Sequence, residues 1–347
     1  MFKQRMNNIQ DILRHRGLDF LITTNPSNIF YLTGFRCEEA VLLISKESSF
    51  FFVDARYIEE ARPVIKDSKV IEVRWATFKK YLQNFIGLKS KIGYDLSQTY
   101  CSQIKKWETC VPNSMFIDAS GIPESLRICK SEQEIRSIKD SIELTKIAIQ
   151  DIIKLDWSKI TERHLAWEIE KKIREKGAEA VSFPIIVASG KRSSYPHATP
   201  QDINIEKDIV LIDCGCRLKG YCSDITRTYT NTSGARGLKF TKIKSIVETA
   251  SKIVIEKIRA GVQLKDIDSI ARGYIEKKGF GKNFIHSLGH GVGIDVHEAP
   301  DVGSGSKDIA KEGMVLTIEP AIYIKGVGGV RYEQMVLVHE SGCEVLS

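Results

Sequence analysis

Residues Ile209 to Tyr229 read IVLIDCGCRLKGYCSDITRTY, two runs rich in branched and aromatic residues flanking a short polar turn. Such runs read as the antiparallel strands of a hairpin turning around Leu218 to Gly220. Each strand carries one aspartate, Asp213 and Asp224. If the loop is Leu218-Lys219, the two aspartates stand directly opposite; if it falls one residue later, they are diagonal neighbours. Either register sets two acids side by side among apolar residues.

A second stretch repeats the arrangement. Met314 to Ile324, MVLTIEPAIYI, runs through Lys325 to Gly329 into Val330 to Val338, VRYEQMVLV, and a turn centred on Gly326 sets Glu319 opposite Glu333. One acid from each strand of each hairpin is consistent with an old internal duplication. Like charges on neighbouring strands are unfavourable unless something neutralises them. Arg227 and Arg331, close in sequence to these acids, offer salt bridges as one answer. Two divalent ions offer the other, since carboxylates commonly bridge ions about 3.5–4 Å apart. So oxygen-rich a donor set favours hard ions such as manganese over an all-thiolate zinc site.

Between the hairpins lies Phe284 to Pro300, FIHSLGHGVGIDVHEAP, which holds His286, His290 and His297, three of the seven histidines. Imidazole is the commonest metal ligand and a proton carrier near neutral pH. Gly289, Gly291 and Gly293 are read as letting the backbone turn tightly or approach a ligand closely. A single histidine on an apolar face is usually a core residue; three in one glycine-rich window read as a metal or proton-transfer site.

The wider chain frames this site. Its 347 residues suffice for two domains, and 42% hydrophobic with 27% charged residues is ordinary for a globular protein. The net charge of +7 comes without a dense basic block, which argues against nucleic-acid binding. Eight cysteines form no close CxxC and fit a reducing cytoplasm. The N-terminus has a helical period through Phe2, Met6, Ile9 and Leu13 but lacks a signal peptide's apolar core. No run of about 18 apolar residues suits a membrane span.

Alternating short strands (18–23, 40–45, 49–54, 91–94) and helices (58–65, 78–86) predict an α/β layer in the first third. Ser131 and Glu134 fit a capping box opening a helix over 131–154. Helices over 161–176, 240–260 and 264–278 and the strands from Ile185 onward come in runs without strict alternation, an α+β pattern. The boundary falls near Leu126, giving domains 1–126 and 127–347.

In this order, Asp213, Asp224, His290, Glu319 and Glu333 resemble the metal site of the M24 metallopeptidases, more closely their Xaa-Pro aminopeptidase and prolidase branch. The matching stretches are VLIDCG, GYCSDITRTY, HSLGHGVGIDVHE, TIEPAIY and GVRYEQMVLV, within Phe183 to Val338. NPSNIFYLTGF (Asn25 to Phe35) and FFVDARY (Phe51 to Tyr57) match that branch's N-terminal domain. The resemblance implies an α+β protein, with a C-terminal pita-bread metallopeptidase domain and a smaller α/β creatinase-type N-terminal domain. It implies two divalent ions, most plausibly Mn2+ with Co2+ or Zn2+ as alternatives. Asp224 and Glu333 would bridge them, His290 and Glu319 would complete one and Asp213 would bind the other. His197, in SYPHA, and His297 match histidines at the scissile bond, with Glu319 as proton shuttle. His286, Tyr323 and Arg331 match substrate-pocket or supporting positions. Gln334 departs from the family, where aspartate is common.

The expected activity is therefore removal of the N-terminal residue from peptides with proline second, by a cytoplasmic homodimer without nucleic-acid or membrane partners. The expectation of peptides longer than two residues rests on the chain being short for a dedicated dipeptidase. The alternative is a prolidase acting on Xaa-Pro dipeptides, with Arg331 able to meet the carboxylate. A non-catalytic binding module and a metal-free creatinase-type hydrolase are disfavoured because all five ligands are present.

Overall fold

The computed structural model describes residues 1–87, 89–231 and 234–347. The chain divides into two compact units, Met1–Arg127 and Ile128–Ser347. The first is built on a six-stranded mixed sheet in the order Lys69–Glu72, Ser49–Val53, Val41–Ser45, Phe20–Thr23, Lys91–Tyr94, Met115–Asp118. Its inner strands are the apolar runs legible in sequence, and Leu42, Leu43, Phe51 and Phe52 are fully buried. The two edge strands were not predicted. Both are half exposed, Lys69–Glu72 and Met115–Asp118 each placing exposed residues at their ends, so neither carries a continuous apolar run. Helix Pro26–Thr33 starts with Asn25 accepting the Asn28 amide at 2.9 Å and proline in its first turn, and Gly34 closes it at φ 78°.

The second unit packs helices Glu132–Ile152, Glu162–Glu175, Ala235–Ile255 and Leu264–Lys277 around short antiparallel sheets. The capping box is present: Ser131 N–H donates to Glu134 Oε2 at 2.9 Å. Helix Ala235–Ile255 begins five residues earlier than the periodicity predicted. Gly237 lies inside that early turn, and a Cβ there would come 2.1 Å from the Asn231 carbonyl oxygen. The glycine permits a close approach where it reads in sequence as a breaker.

Both acid-bearing hairpins form. In the first, Arg217 pairs with Cys222 and Leu218 with Tyr221, leaving Lys219-Gly220 as the two-residue loop. Both loop residues are left-handed (φ 53° and 78°), as a two-residue turn of this hand requires. The same register pairs Asp213 with Thr226, so Asp213 and Asp224 are diagonal neighbours. In the second hairpin, Ile318 pairs with Gln334 and Ala321 with Arg331, which brackets Glu319 opposite Glu333. Strand Gly289–Gly291 joins the same sheet beside Val315–Ile318 and brings His290 to the acids.

Candidate metal centre

A cavity of about 820 Å³ in the second unit is lined by Asp213, Asp224, His290, Glu319 and Glu333, and also by His197, His286, His297 and Arg331. Tyr323 lies outside that lining and is buried. Three overlapping groups hold potential ligand atoms within 4.8 Å of one another: Asp224, His290 and His297; His290, Glu319 and Glu333; Asp213, Asp224 and Glu333. A larger groove of about 1110 Å³ in the first unit carries no such group among the described residues.

Desolvation distorts the acid–base behaviour of Asp224, Glu319 and Glu333. Desolvation, reinforced by the charge of Glu333, lifts both Asp224 and Glu319 well above the usual carboxylate range. Desolvation and the Asp213 charge push Glu333 up to about 7. Arg331 answers only part of this charge: its guanidinium pairs with Asp213 Oδ2, while Asp213 Oδ1 is buried without a hydrogen-bond partner. Arg227 answers none of it. Its Nη1 donates to the backbone oxygens of Thr226 and Glu333, and its guanidinium lies 4.8 Å from the Tyr332 ring centroid. An orphaned buried oxygen among acids that resist ionising fits divalent cations better than salt bridges alone. The donors, carboxylates plus one imidazole, suit such ions.

His290 is arranged as a ligand. Its Nδ1 lies 3.0 Å from the Gly291 carbonyl, which fixes the proton there and turns Nε2 toward Asp224 Oδ2 at 3.7 Å and Glu319 Oε1 at 3.5 Å. Burial lowers its pKa to about 4, so the imidazole is neutral and its lone pair available. Burial also lowers His286 to about 4. With His286 Nδ1 donating to the Ser287 carbonyl at 2.7 Å, its Nε2 accepts from the Tyr323 hydroxyl at 3.3 Å. That hydroxyl in turn accepts from Arg331 Nη1 at 2.6 Å. His197 and His297 are exposed, with imidazoles available to a ligand. The His297 ring centroid is 4.2 Å from that of His290, and burial lowers its pKa too.

Two threonines not singled out in the sequence connect these groups. Thr226 accepts from Arg331 Nε at 3.0 Å and donates to Glu333 Oε2 at 2.8 Å. Thr317 accepts from the His290 amide at 3.0 Å and donates to Glu319 Oε1 at 3.4 Å. Each stands two residues from an acid, Asp224 or Glu319, so strand alternation was a signal that could have found them. Arg331 also donates to the Pro196 carbonyl, so four of its N–H groups are committed. Gln334 turns to Ser347 and Ser251 instead of the acids. The glycines of the histidine window have no positive φ; they serve close approach. A Cβ on Gly289 would stand 2.0 Å from the Thr317 oxygen, and one on Gly291 2.4 Å from the Ala299 oxygen.

Residues 136–340 match metallopeptidase family M24, and residues 5–129 match the creatinase/prolidase N-terminal domain. An Xaa-Pro dipeptidase of Pyrococcus horikoshii is 33% identical, with 100% of this chain and 97% of that protein covered. The structure of an Xaa-Pro dipeptidase from Bacillus anthracis superposes with a TM-score of 0.94 at 32% identity, covering 100% of this chain and 97% of the other. That of an X-Pro aminopeptidase from Thermotoga maritima gives 0.87 at 32% identity, covering 95% of each. The chain is thus similar along its whole length to peptidases acting beside proline.

Proposed function

The chain belongs to metallopeptidase family M24, with that family's creatinase/prolidase N-terminal domain, and from this premise we propose that it is an Xaa-Pro dipeptidase using two divalent ions. The observation that carries the metal is the convergence of Asp213, Asp224, His290, Glu319 and Glu333 on one cavity with an orphaned acceptor among them. The dipeptide preference rests on the relatives named for it. The length argument for longer peptides fails, because those dipeptidases are matched over 97–98% of their own length.

In this reading Asp224 and Glu333 would be shared by both ions, His290 and Glu319 would complete one, and Asp213 would bind the other. When bound, divalent ions polarise a carbonyl and lower the pKa of water toward neutrality. Glu319, half-buried beside Thr317, takes and returns the proton at its carboxylate. The exposed imidazoles of His297 and His197 face the cavity and donate to oxygen or nitrogen at the bond being cut. His286, with Nε2 accepting from Tyr323, contributes its neutral ring as a wall of the cavity. Phe183, Pro184, Ile186 and Ile285 add apolar wall suited to a pyrrolidine ring. An Xaa-Pro bond is a tertiary amide without N–H, so a site that needs no such donor can cut it.

The hard donor set supports manganese, eight free cysteines support a reducing cytoplasm, and family resemblance supports a homodimer. No helix among the described residues is long and apolar enough to cross a membrane. One observation favours the second reading, an aminopeptidase on longer peptides: Arg331 has four N–H groups committed and is poorly placed to capture a dipeptide's carboxylate. Comparing kcat/KM for Met-Pro, Met-Pro-Ala and Met-Ala with the metal-loaded enzyme decides between them. Met-Pro is expected to lead. Faster turnover of the tripeptide establishes the aminopeptidase, and equal rates on Met-Pro and Met-Ala refute both.

A further inference from the structure

Asp301 has no part in the five-ligand set, yet its position in the cavity is well defined. It pairs directly with His290 across the antiparallel strands Gly289–Gly291 and Glu298–Val302. Directly paired residues project from the same face of a sheet, and both line the cavity. The Asp301 carboxylate is exposed and has no hydrogen-bond or ion-pair partner among the described residues. Ser287, also exposed and lining the cavity, lies beside it. A Cβ on Gly303 would meet Ser287 Oγ at 2.5 Å and Asp301 Oδ2 at 2.6 Å. Glycine there leaves room for the two oxygens, which form a small acceptor pair at the wall.

The charge balance gives this pair a preference. Two divalent ions and Arg331, the one guanidinium in the lining, would bring five positive charges against its five carboxylates, but Arg331 is in contact with Asp213. No lysine lines the cavity. Asp301 is therefore the lining carboxylate with no cation in contact, although the lining as a whole is balanced. We propose that Asp301, with Ser287, is a specificity-determining residue that selects a cationic side chain, lysine or arginine, in the residue preceding proline. The proposal rests on the Xaa-Pro reading above and names its preferred substrate class. An ammonium or guanidinium reaching the pair gains an ion pair and a hydrogen bond to the serine, whereas a glutamate side chain meets a like charge.

The test is kcat/KM for Lys-Pro, Met-Pro and Glu-Pro with the metal-loaded wild type, Asp301→Asn and Asp301→Lys. Thermal unfolding of each protein serves as the control for folding. The wild type is expected to favour Lys-Pro over Glu-Pro by roughly tenfold or more, the sum of one attraction and one repulsion. Asp301→Asn should bring the ratio close to one, and Asp301→Lys should invert it. High salt should compress the wild-type ratio, because an exposed charge is screened. A ratio that Asp301→Asn leaves unchanged overturns the proposal. A uniform fall on all three dipeptides also overturns it, since Asp301 would then serve the amino group they share. Absence of cleavage of all three by the wild type would refute the dipeptidase reading itself, an outcome distinct from either.

Discussion

Removing the metal should make the stability of this protein fall as pH rises from 6.5 to 8. Glu333 is pushed up to about 7, and Asp224 and Glu319 are lifted well above the usual carboxylate range, in each case first by desolvation. In the unfolded chain all three ionise near pH 4. Over the window the folded cluster thus keeps protons that the unfolded chain has given up, and stability drops with pH. A proton kept throughout costs about 1.4 kcal/mol per pH unit, or about 2 kcal/mol across the window; Glu333, which releases its proton near 7, contributes about 0.8 kcal/mol, and Asp224 and Glu319 act in the same direction. Histidines oppose this loss in the lower half of the window. His286 and His290 are held down to about 4 by burial, so each gives an opposite gain in stability of about 0.4 kcal/mol above pH 6.5, complete by about pH 7.5, where the unfolded chain's histidines are neutral. Buried thiols such as Cys214, raised by desolvation, add their own loss only above about pH 8.5, where unfolded cysteine ionises. The assay is urea unfolding of chelator-treated protein at half-unit pH steps, with and without saturating Mn2+. The histidine gain offsets the Glu333 loss, so metal-free stability should decline through Asp224 and Glu319, by up to about 2 kcal/mol for each, and the stabilisation by Mn2+ should grow with pH, because binding displaces those protons. Metal-free stability that is flat or rises over this window would refute the reasoning.

Other residues give further expected outcomes. His297→Ala should lower kcat by roughly 10²–10⁴-fold while metal content holds, whereas His290→Ala should lose metal as well as activity; kinetics paired with elemental analysis separate the two. Thr226→Val removes the hydroxyl between Arg331 and Glu333 and should weaken metal affinity by about 10–100-fold, with Thr226→Ser restoring it, as read by metal titration.

Much of the architecture was legible because it rests on apolar periodicity. The inner strands of the N-terminal sheet, the capping box at Ser131 and the turn at Gly326 each carried a local signal. The first hairpin was ambiguous for a local reason. Lys219 adopts φ 53°, a conformation lysine does not advertise, so the loop could be placed at either of two positions. The edge strands lacked a signal because their side chains are partly solvated. At the site, the five ligand-type residues were visible as residue types in spaced motifs. Their supports were not: which donors of Arg331 are free depends on Pro196 and Asp213, both more than a hundred residues away. Tyr323, read as a pocket residue, is turned to Arg331 and His286 behind the cavity wall. Asp301 carries no motif, and only strand pairing brings it beside His290.

The most direct test of the account is hydrolysis of Met-Pro by protein stripped of metal and verified as metal-free, followed by stepwise addition of Mn2+. The account predicts no hydrolysis without metal and activity that rises as two equivalents bind, with Asp224→Asn failing to recover it. Full activity in the verified metal-free protein would contradict it.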